Sequence, residues 1–354
     1  LQLVRALTGI GAKSLSAAYD SLSGIRIAIV SGRTCCKGNA MHNRVIKRIL
    51  TIWVLLIVIV ALFGKVTIAA TDAGQTAADF LLIGVGAGAA GMGGAYTAVS
   101  QGSSASYWNP AALVGTERAE VSFSHFAWYQ DIALEHGAVA FPVSEKLSLG
   151  ASITFLDYGT IEGYDANGLS IGEISSYDWQ GGISAGYRLN DDFSLGLTGK
   201  FVNQKLADVS ASAFAADFGA RYQGNKFAVA AVIANFGSSL KFDQESEKLP
   251  SVARLAFSTN PFGNRFMTSV ELEKKIYGDI TIRHGVEVNF ENRYFIRGGY
   301  NYNPADEVRP FGAGLSFGAG LRFSGAGLDY AYTPKDSYTS DDLHRFSLSI
   351  GLGQ

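Results

Sequence analysis

After Glu120 the chain alternates between apolar and polar residues with period two. Over 279–290, Ile280, Ile282, His284, Val286, Val288 and Phe290 fall on one face, and Thr281, Arg283, Gly285, Glu287 and Asn289 on the other. Over 146–155, Leu147, Leu149, Ala151, Ile153 and Phe155 oppose Ser148, Gly150, Ser152 and Thr154. Such alternation marks strands with one apolar and one polar face. No comparable stretch beyond residue 120 has helical period. The pattern predicts fourteen strands: 120–129, 132–142, 146–158, 175–189, 193–205, 211–223, 226–236, 250–260, 264–274, 279–290, 292–302, 311–323, 325–332 and 343–352.

Most of these segments hold ten or more residues. A tilted strand needs about 9–11 to cross a bilayer, whereas strands of soluble sheets average about 5–6. The links carry a second signal. Those at 144–145, 190–192, 224–225, 291 and 324 are tight, and 260–264 is slacker. Those at 159–174, 237–249, 303–310 and 333–342 are longer and polar. Short periplasmic turns against longer outer loops characterise bacterial outer-membrane barrels. A chain whose N-terminus stays in the periplasm runs its first strand outward, which puts the longer links outside. Trp128, Tyr129, Phe141, Phe155, Tyr158, Tyr300, Tyr302, Tyr330 and Tyr332 lie towards segment ends, where an interfacial aromatic belt is expected. Lipid satisfies no backbone polar group, so a spanning sheet must close on itself. The expected fold is all-β, a transmembrane antiparallel β-barrel of about 14 strands occupying 118–354.

Upstream the pattern changes. Basic residues in 41–48 precede an uncharged apolar run, Ile49 to Phe63, and Thr67-Ile68-Ala69 offers small residues for cleavage. This is the layout of a secretory signal peptide over 41–69. The run is short for a membrane helix, which needs about 20 apolar residues. Residues 1–40 stand in front of that signal and read as a translated upstream extension, outside the fold.

Composition supports the barrel. Of 354 residues, 17% are charged and 12% aromatic, and 42 are glycine. That balance suits a β-rich protein with apolar surface towards something other than water. Nine Lys and Arg and a single acid precede residue 70, so the body keeps 20 basic and 30 acidic residues. An acidic body argues against nucleic acid as a partner. The only cysteines are the adjacent pair Cys35 and Cys36, so neither zinc ligation nor thiol chemistry is expected of the body.

Between signal and strands lies a small, nearly uncharged, glycine-broken segment, 70–117. Its Gly86-x-Gly88-x-x-Gly91 matches the dinucleotide spacing, but no acid follows at the ribose position and no βαβ alternation follows either. The glycines read instead as close-packing positions for a segment folded inside a narrow lumen, placed to plug the lumen or line its periplasmic end.

The stretch Gly84 to Val114 resembles the N-terminal signature of the PorV/PorQ family, within the wider FadL-type outer-membrane barrels. The matching positions include Gly86, Gly91, Met92, Gly93, Gly94, Trp108, Asn109, Pro110 and Ala111. Gly88 stands where the family has Arg, Gln101-Gly102-Ser103-Ser104 replaces an acidic pair, and Ala112 replaces Gly. The resemblance implies a fourteen-stranded barrel with an N-terminal hatch. It further implies an accessory role in surface protein export of the type IX kind. The alternative it leaves open is a FadL-like channel for hydrophobic small molecules such as fatty acids. Implied partners are outer-membrane lipid, secretion-system components or exported cargo, or a hydrophobic ligand. The implied place is the bacterial cell outer membrane.

Candidate chemistry is sparse. His125, His136, His284 and His344 are far apart in sequence and lack metal spacing, although His125 and His136 lie on neighbouring predicted strands. No nucleophile elbow is expected. The acid pairs Asp191-Asp192, Asp306-Glu307 and Asp341-Asp342 fall in links, where solvated turns account for them. No enzymatic activity, cofactor or metal is expected. Arg283, Arg293, Arg297 and Arg322 sit in late strands near Glu271, Glu273 and Glu287. On the lipid face each Arg would cost about 2–4 kcal/mol at the midplane, so these side chains are expected to face the lumen, pair across it and narrow the pore.

Overall fold

The computed structural model describes residues 76–128, 132–242, 245–276, 278–304, 313–334 and 342–353. The expected upstream extension, the signal peptide and Tyr129 fall outside the described residues.

The strands are β1 (Ala119–Ala127), β2 (Ala133–Pro142), β3 (Leu147–Tyr164), β4 (Ser170–Arg188), β5 (Phe193–Leu206), β6 (Val209–Gln223), β7 (Phe227–Gly237), β8 (Leu240–Phe242), β9 (Glu245–Glu247), β10 (Val252–Thr259), β11 (Pro261–Asn264), β12 (Phe266–Lys275), β13 (Ile280–Phe290), β14 (Tyr294–Tyr302), β15 (Leu315–Phe323), β16 (Ala326–Thr333) and β17 (Leu343–Leu352). Fourteen of them close into one antiparallel barrel, ordered β1-β17-β16-β15-β14-β13-β12-β10-β7-β6-β5-β4-β3-β2. Each of the fourteen expected segments becomes one barrel strand. The last strand seals the first, with β1 and β17 paired from Ala119↔Leu352 to Ala127↔His344. Closure leaves no unpaired sheet edge.

Period two decides which side chain meets lipid. Along β7, Phe227, Val229 and Ile233 are exposed while Ala228, Ala230, Val232 and Ala234 are buried. Ile183 on β4 is 74% exposed and Phe214 on β6 is 70% exposed. So extensive an apolar exterior has no place in water and matches a lipid-facing belt. The buried face is polar in many places, including Thr198, Asp217, Glu271, Glu273 and Arg297.

Two longer links carry more structure than their polarity suggests. β3 and β4 stay paired to Tyr164↔Ser170, past an irregularity between Asp157 and Thr160. Ladder hydrogen bonds come from the backbone, so a hairpin outside the membrane needs no apolar face. Asp165 ties its tip by accepting from Asn167 N at 2.8 Å and Leu169 N at 2.9 Å. These amides hold its carboxyl below the usual range. In the 238–251 link, β8 and β9 form a separate hairpin with Leu240 fully buried.

Residues 76–118 lie within the barrel. They form turns of 3-10 helix at Asp79–Leu82, Gly102–Ser104 and Pro110–Gly115, and two short helices, α1 (Ala87–Gly91) and α2 (Ala105–Trp108). Helices of four or five residues do not persist alone, so packing against the wall holds them. The direction of this segment departs from expectation. Thr76 bridges Lys248, and Ala77 N donates to Lys248 O at 3.0 Å, both at the long-link end. Val114 O accepts from Arg188 Nη2 at 2.7 Å near the short-turn end, where β1 begins. The segment therefore threads the whole lumen rather than lining one end. Only its last residues leave beside the short turns, which preserves the expected direction of β1.

Candidate functional site

The lumen segment rests on two glycine-lined seats in the wall. Gly285 and Gly299 are cross-strand partners on β13 and β14. A Cβ on Gly285 would stand 2.6 Å from Met92 O, and one on Gly299 would overlap the Met92–Gly93 peptide. Met92 is fully buried there. Gly91 meets Gly318 of β15, where an added Cβ would come 2.8 Å from the Gly318 Cα. Gly93, at φ 64°, lies against the Tyr300 backbone, and Gly94 against the Arg283 side chain. Gly86 differs, because its Cβ would meet nothing. Its φ of 88° opens α1 in a conformation that favours glycine.

The second seat is the direct cross-strand row Gly186, Gly196 and Gly219 on β4, β5 and β6. A Cβ on Gly196 would overlap the Pro110–Ala111 peptide, and one on Gly219 the Asn109 carboxamide. Asn109 is buried; its Oδ1 accepts from Ala111 N at 3.0 Å and its Nδ2 donates to Thr97 O at 3.3 Å. Pro110 follows at the start of the 3-10 turn, a position that needs no amide hydrogen. Trp108 Nε1 donates to Val85 O at 3.1 Å, and the ring packs edge-on to Tyr96 and Tyr107. The motif residues thus stand together at the contact between segment and wall. The wall glycines that receive them are spread from 186 to 318 and carry no local sequence signal.

The lumen charges form paired clusters. Arg283 Nη1 donates to Glu271 Oε1 at 3.0 Å, and its Nη2 to Glu273 Oε1 at 2.8 Å. Arg254 Nε donates to Glu273 Oε2 at 2.7 Å. Glu271 Oε2 accepts from Thr97 N at 2.9 Å, tying this cluster to the lumen segment. In a second cluster, Arg297 donates to Glu287 at 2.7 Å and to Asp329 at 2.6 Å, and Arg322 Nη2 to Asp329 at 2.8 Å. Lys200 pairs with Asp217 at 2.6 Å. Arg293 stands apart, in the exposed turn before β14, with its guanidinium 5.7 Å from the Tyr294 ring centre. Sequence reasoning missed Arg254, Asp329, Lys200 and Asp217. Each lies on the polar face of its strand, but which strand it meets depends on barrel register.

The histidines do not converge. His136 pairs across strands with Ser124, not His125. His136 therefore faces the lumen, with Nδ1 2.9 Å from Thr154 Oγ1, while His125 faces outward against Glu135 at 2.6 Å. Trp128 and Tyr158 also depart from the expected belt. Trp128 stacks on the buried Phe126, and Tyr158 OH donates to Asp178 at 2.9 Å. Tyr300, Tyr302 and Phe141 do face outward. Gly168 to Gly172 carries Gly-x-Ser-x-Gly spacing, but Ser170 opens β4 from a hairpin tip. A nucleophile elbow needs a strand-to-helix turn, so the spacing does not build one here.

Burial pushes the Tyr96 phenol up to about 12, offset in part by Arg297. Burial likewise raises Tyr107, whose OH donates to Leu81 O and Ile83 O at 3.0 Å. Cavities remain between segment and wall. One of about 340 Å³ opens towards the long links, and smaller ones of about 250 and 130 Å³ lie around Tyr96 and Gln101.

The family model described as type IX secretion system protein PorV matches residues 68–276, more than half of the chain. The chain belongs to the PorV family. Its fold is also that of known channels. The Pseudomonas putida toluene transporter TodX aligns with a TM-score of 0.56 at 12% identity, over 75% of this chain and 97% of that one. The CymD monoaromatic hydrocarbon channel aligns with a TM-score of 0.56 at 14% identity, over 77% and 99%. A Pseudomonas aeruginosa FadL homologue aligns at 14% identity, over 75% and 97%, with a TM-score of 0.49. At these identities the likeness shows the fold alone. No curated protein matches the chain. Barrel fold and PorV membership together point to a bacterial outer membrane.

Proposed function

We propose that this PorV-family barrel is a non-enzymatic accessory of surface protein export in the outer membrane. PorV membership over 68–276 carries this reading. The lumen segment supports it: Met92 and Leu113 are fully buried, and backbone meets backbone at both glycine seats. A barrel so filled serves better as a docking body than as an open pore. In this reading 76–118 act as a hatch, the charge clusters narrow what remains of the lumen, and the long links face the cell exterior, where partners meet them.

The test is the surface and secreted proteome of a deletion strain, measured by quantitative mass spectrometry. Selective loss of proteins sharing a C-terminal sorting domain is the expected result. An unchanged surface proteome removes the export role.

A second reading, passage of a hydrophobic small molecule, is favoured by the cavity of about 340 Å³ between segment and wall. Uptake of a labelled hydrocarbon or fatty acid by the same strain tests it, and undiminished uptake removes it.

A further inference from the structure

Arg345 has no counter-charge among the described residues. It lies opposite Phe126 in the pairing of β17 with β1, and both side chains turn inward. Its guanidinium lies 4.0 Å from the Phe126 ring centre, and Nη1 donates to Gly84 O at 3.1 Å. Nε is buried without an acceptor. Among the described residues no carboxylate pairs with this side chain. Arg254 and Arg283 border the same 340 Å³ cavity, and both are paired with Glu271 and Glu273. Arg254 and Arg283 thus take up both of these carboxylates, and Arg345 pairs with neither. A part-buried cation without a counter-charge is unfavourable, and among the described residues this guanidinium meets none.

The surroundings restrict what can supply that charge. Trp108, Phe126 and Leu343 give the cavity apolar surface beside the guanidinium. On the inner side it ends on Gly84, Gly93, Gly94 and Trp108, and Trp108 is only 2% exposed. With a water occupying about 30 Å³ of liquid, the volume corresponds to roughly eleven waters. That suits one ring with a short acidic substituent.

We propose that this cavity binds a single-ring aromatic carboxylate, with its charge against Arg345 and its ring beside Trp108 and Phe126. The site faces the long-link end of the barrel and stands whether the lumen conducts or serves export. The proteome and uptake experiments above therefore leave it untouched, and its own test is binding.

Benzoate is titrated into the full chain purified in detergent, followed by tryptophan fluorescence and calorimetry. Saturable binding at one site is expected, weakened roughly tenfold or more in Arg345→Gln, the loss typical of a hydrogen bond to a charged group. Arg345→Lys retains most of the affinity, and toluene, the same ring without the charge, binds more weakly than benzoate. A second variant, Leu343→Trp, fills the cavity and leaves every charge in place, and is expected to abolish binding. Heat-modifiable gel mobility checks that each variant is folded. Absence of saturable benzoate binding overturns the proposal. So does unchanged affinity in Leu343→Trp or in folded Arg345→Gln, equal binding of laurate or of chloride, or a site that accepts only a C-terminal peptide.

Discussion

Gly299 of β14 and Gly93 of the lumen segment meet backbone to backbone: a Cβ on Gly299 would overlap the Gly93 amide nitrogen. Gly299→Val must therefore lift the segment from its seat. Overpacking of this kind typically costs about 1–3 kcal/mol. The expected readout is faster protease cleavage within 76–118 and raised conductance in planar bilayers. Gly199→Ala is the control, since a Cβ there meets nothing within 4 Å, and it should behave as wild type.

Glu273 holds Arg254 and Arg283 at once. Glu273→Gln keeps the shape and removes the charge both arginines share. Breaking a buried ion pair from one side costs about 3–5 kcal/mol. The barrel's heat-modification temperature should fall accordingly. An unchanged temperature would mean that the cluster is hydrated and contributes little.

The exterior of the barrel is testable from Ile183, which is 74% exposed at mid-strand, and Leu169, which is 66% exposed at a hairpin tip. Ile183→Arg should destabilise the barrel in lipid vesicles by about 2–4 kcal/mol, the midplane cost of Arg. Leu169→Arg should be near neutral. Equal effects of the two would contradict the assignment of the lipid belt.

Asn109→Ala removes the side-chain acceptor for Ala111 N. Loss of such a cap costs about 0.5–2 kcal/mol. Amide exchange over 110–115 should quicken while the barrel strands keep their protection. Equal quickening in both would mean that the segment and the barrel unfold together.

Burial pushes the Tyr96 phenol up to about 12, from an ordinary value of 10. A folded pKa above the unfolded one contributes stability that is full below about pH 10 and lost as pH rises towards 12. Tyr96→Phe should flatten the fall in stability across that window. Near-ultraviolet absorbance should lose one tyrosine that titrates late, near pH 12, in the same variant.

Much of this molecule was legible in its residues. Ile280 to Phe290 shows its two faces because a strand's side chains alternate by local geometry alone. The same local rule located fourteen strands and put Arg283, Arg297 and Glu287 on the polar side. The cluster Gly91–Gly94 was legible as a close-packing signal because glycine is chosen where chain approaches chain.

What it packs against was not legible, since Gly285, Gly299 and Gly318 meet it only once strands far apart in the chain are in register. The same holds for Arg254 against Glu273, and for Arg345, whose place beside Phe126 and Gly84 shows only when the lumen is closed around it. His125 and His136 separated because one step of pairing turns a side chain to the other face. Sequence by itself determined the strands and their faces, because both follow from neighbouring residues. Tertiary structure decided the register, the path of the lumen segment and the charge balance, because each depends on which distant strands closure brings together.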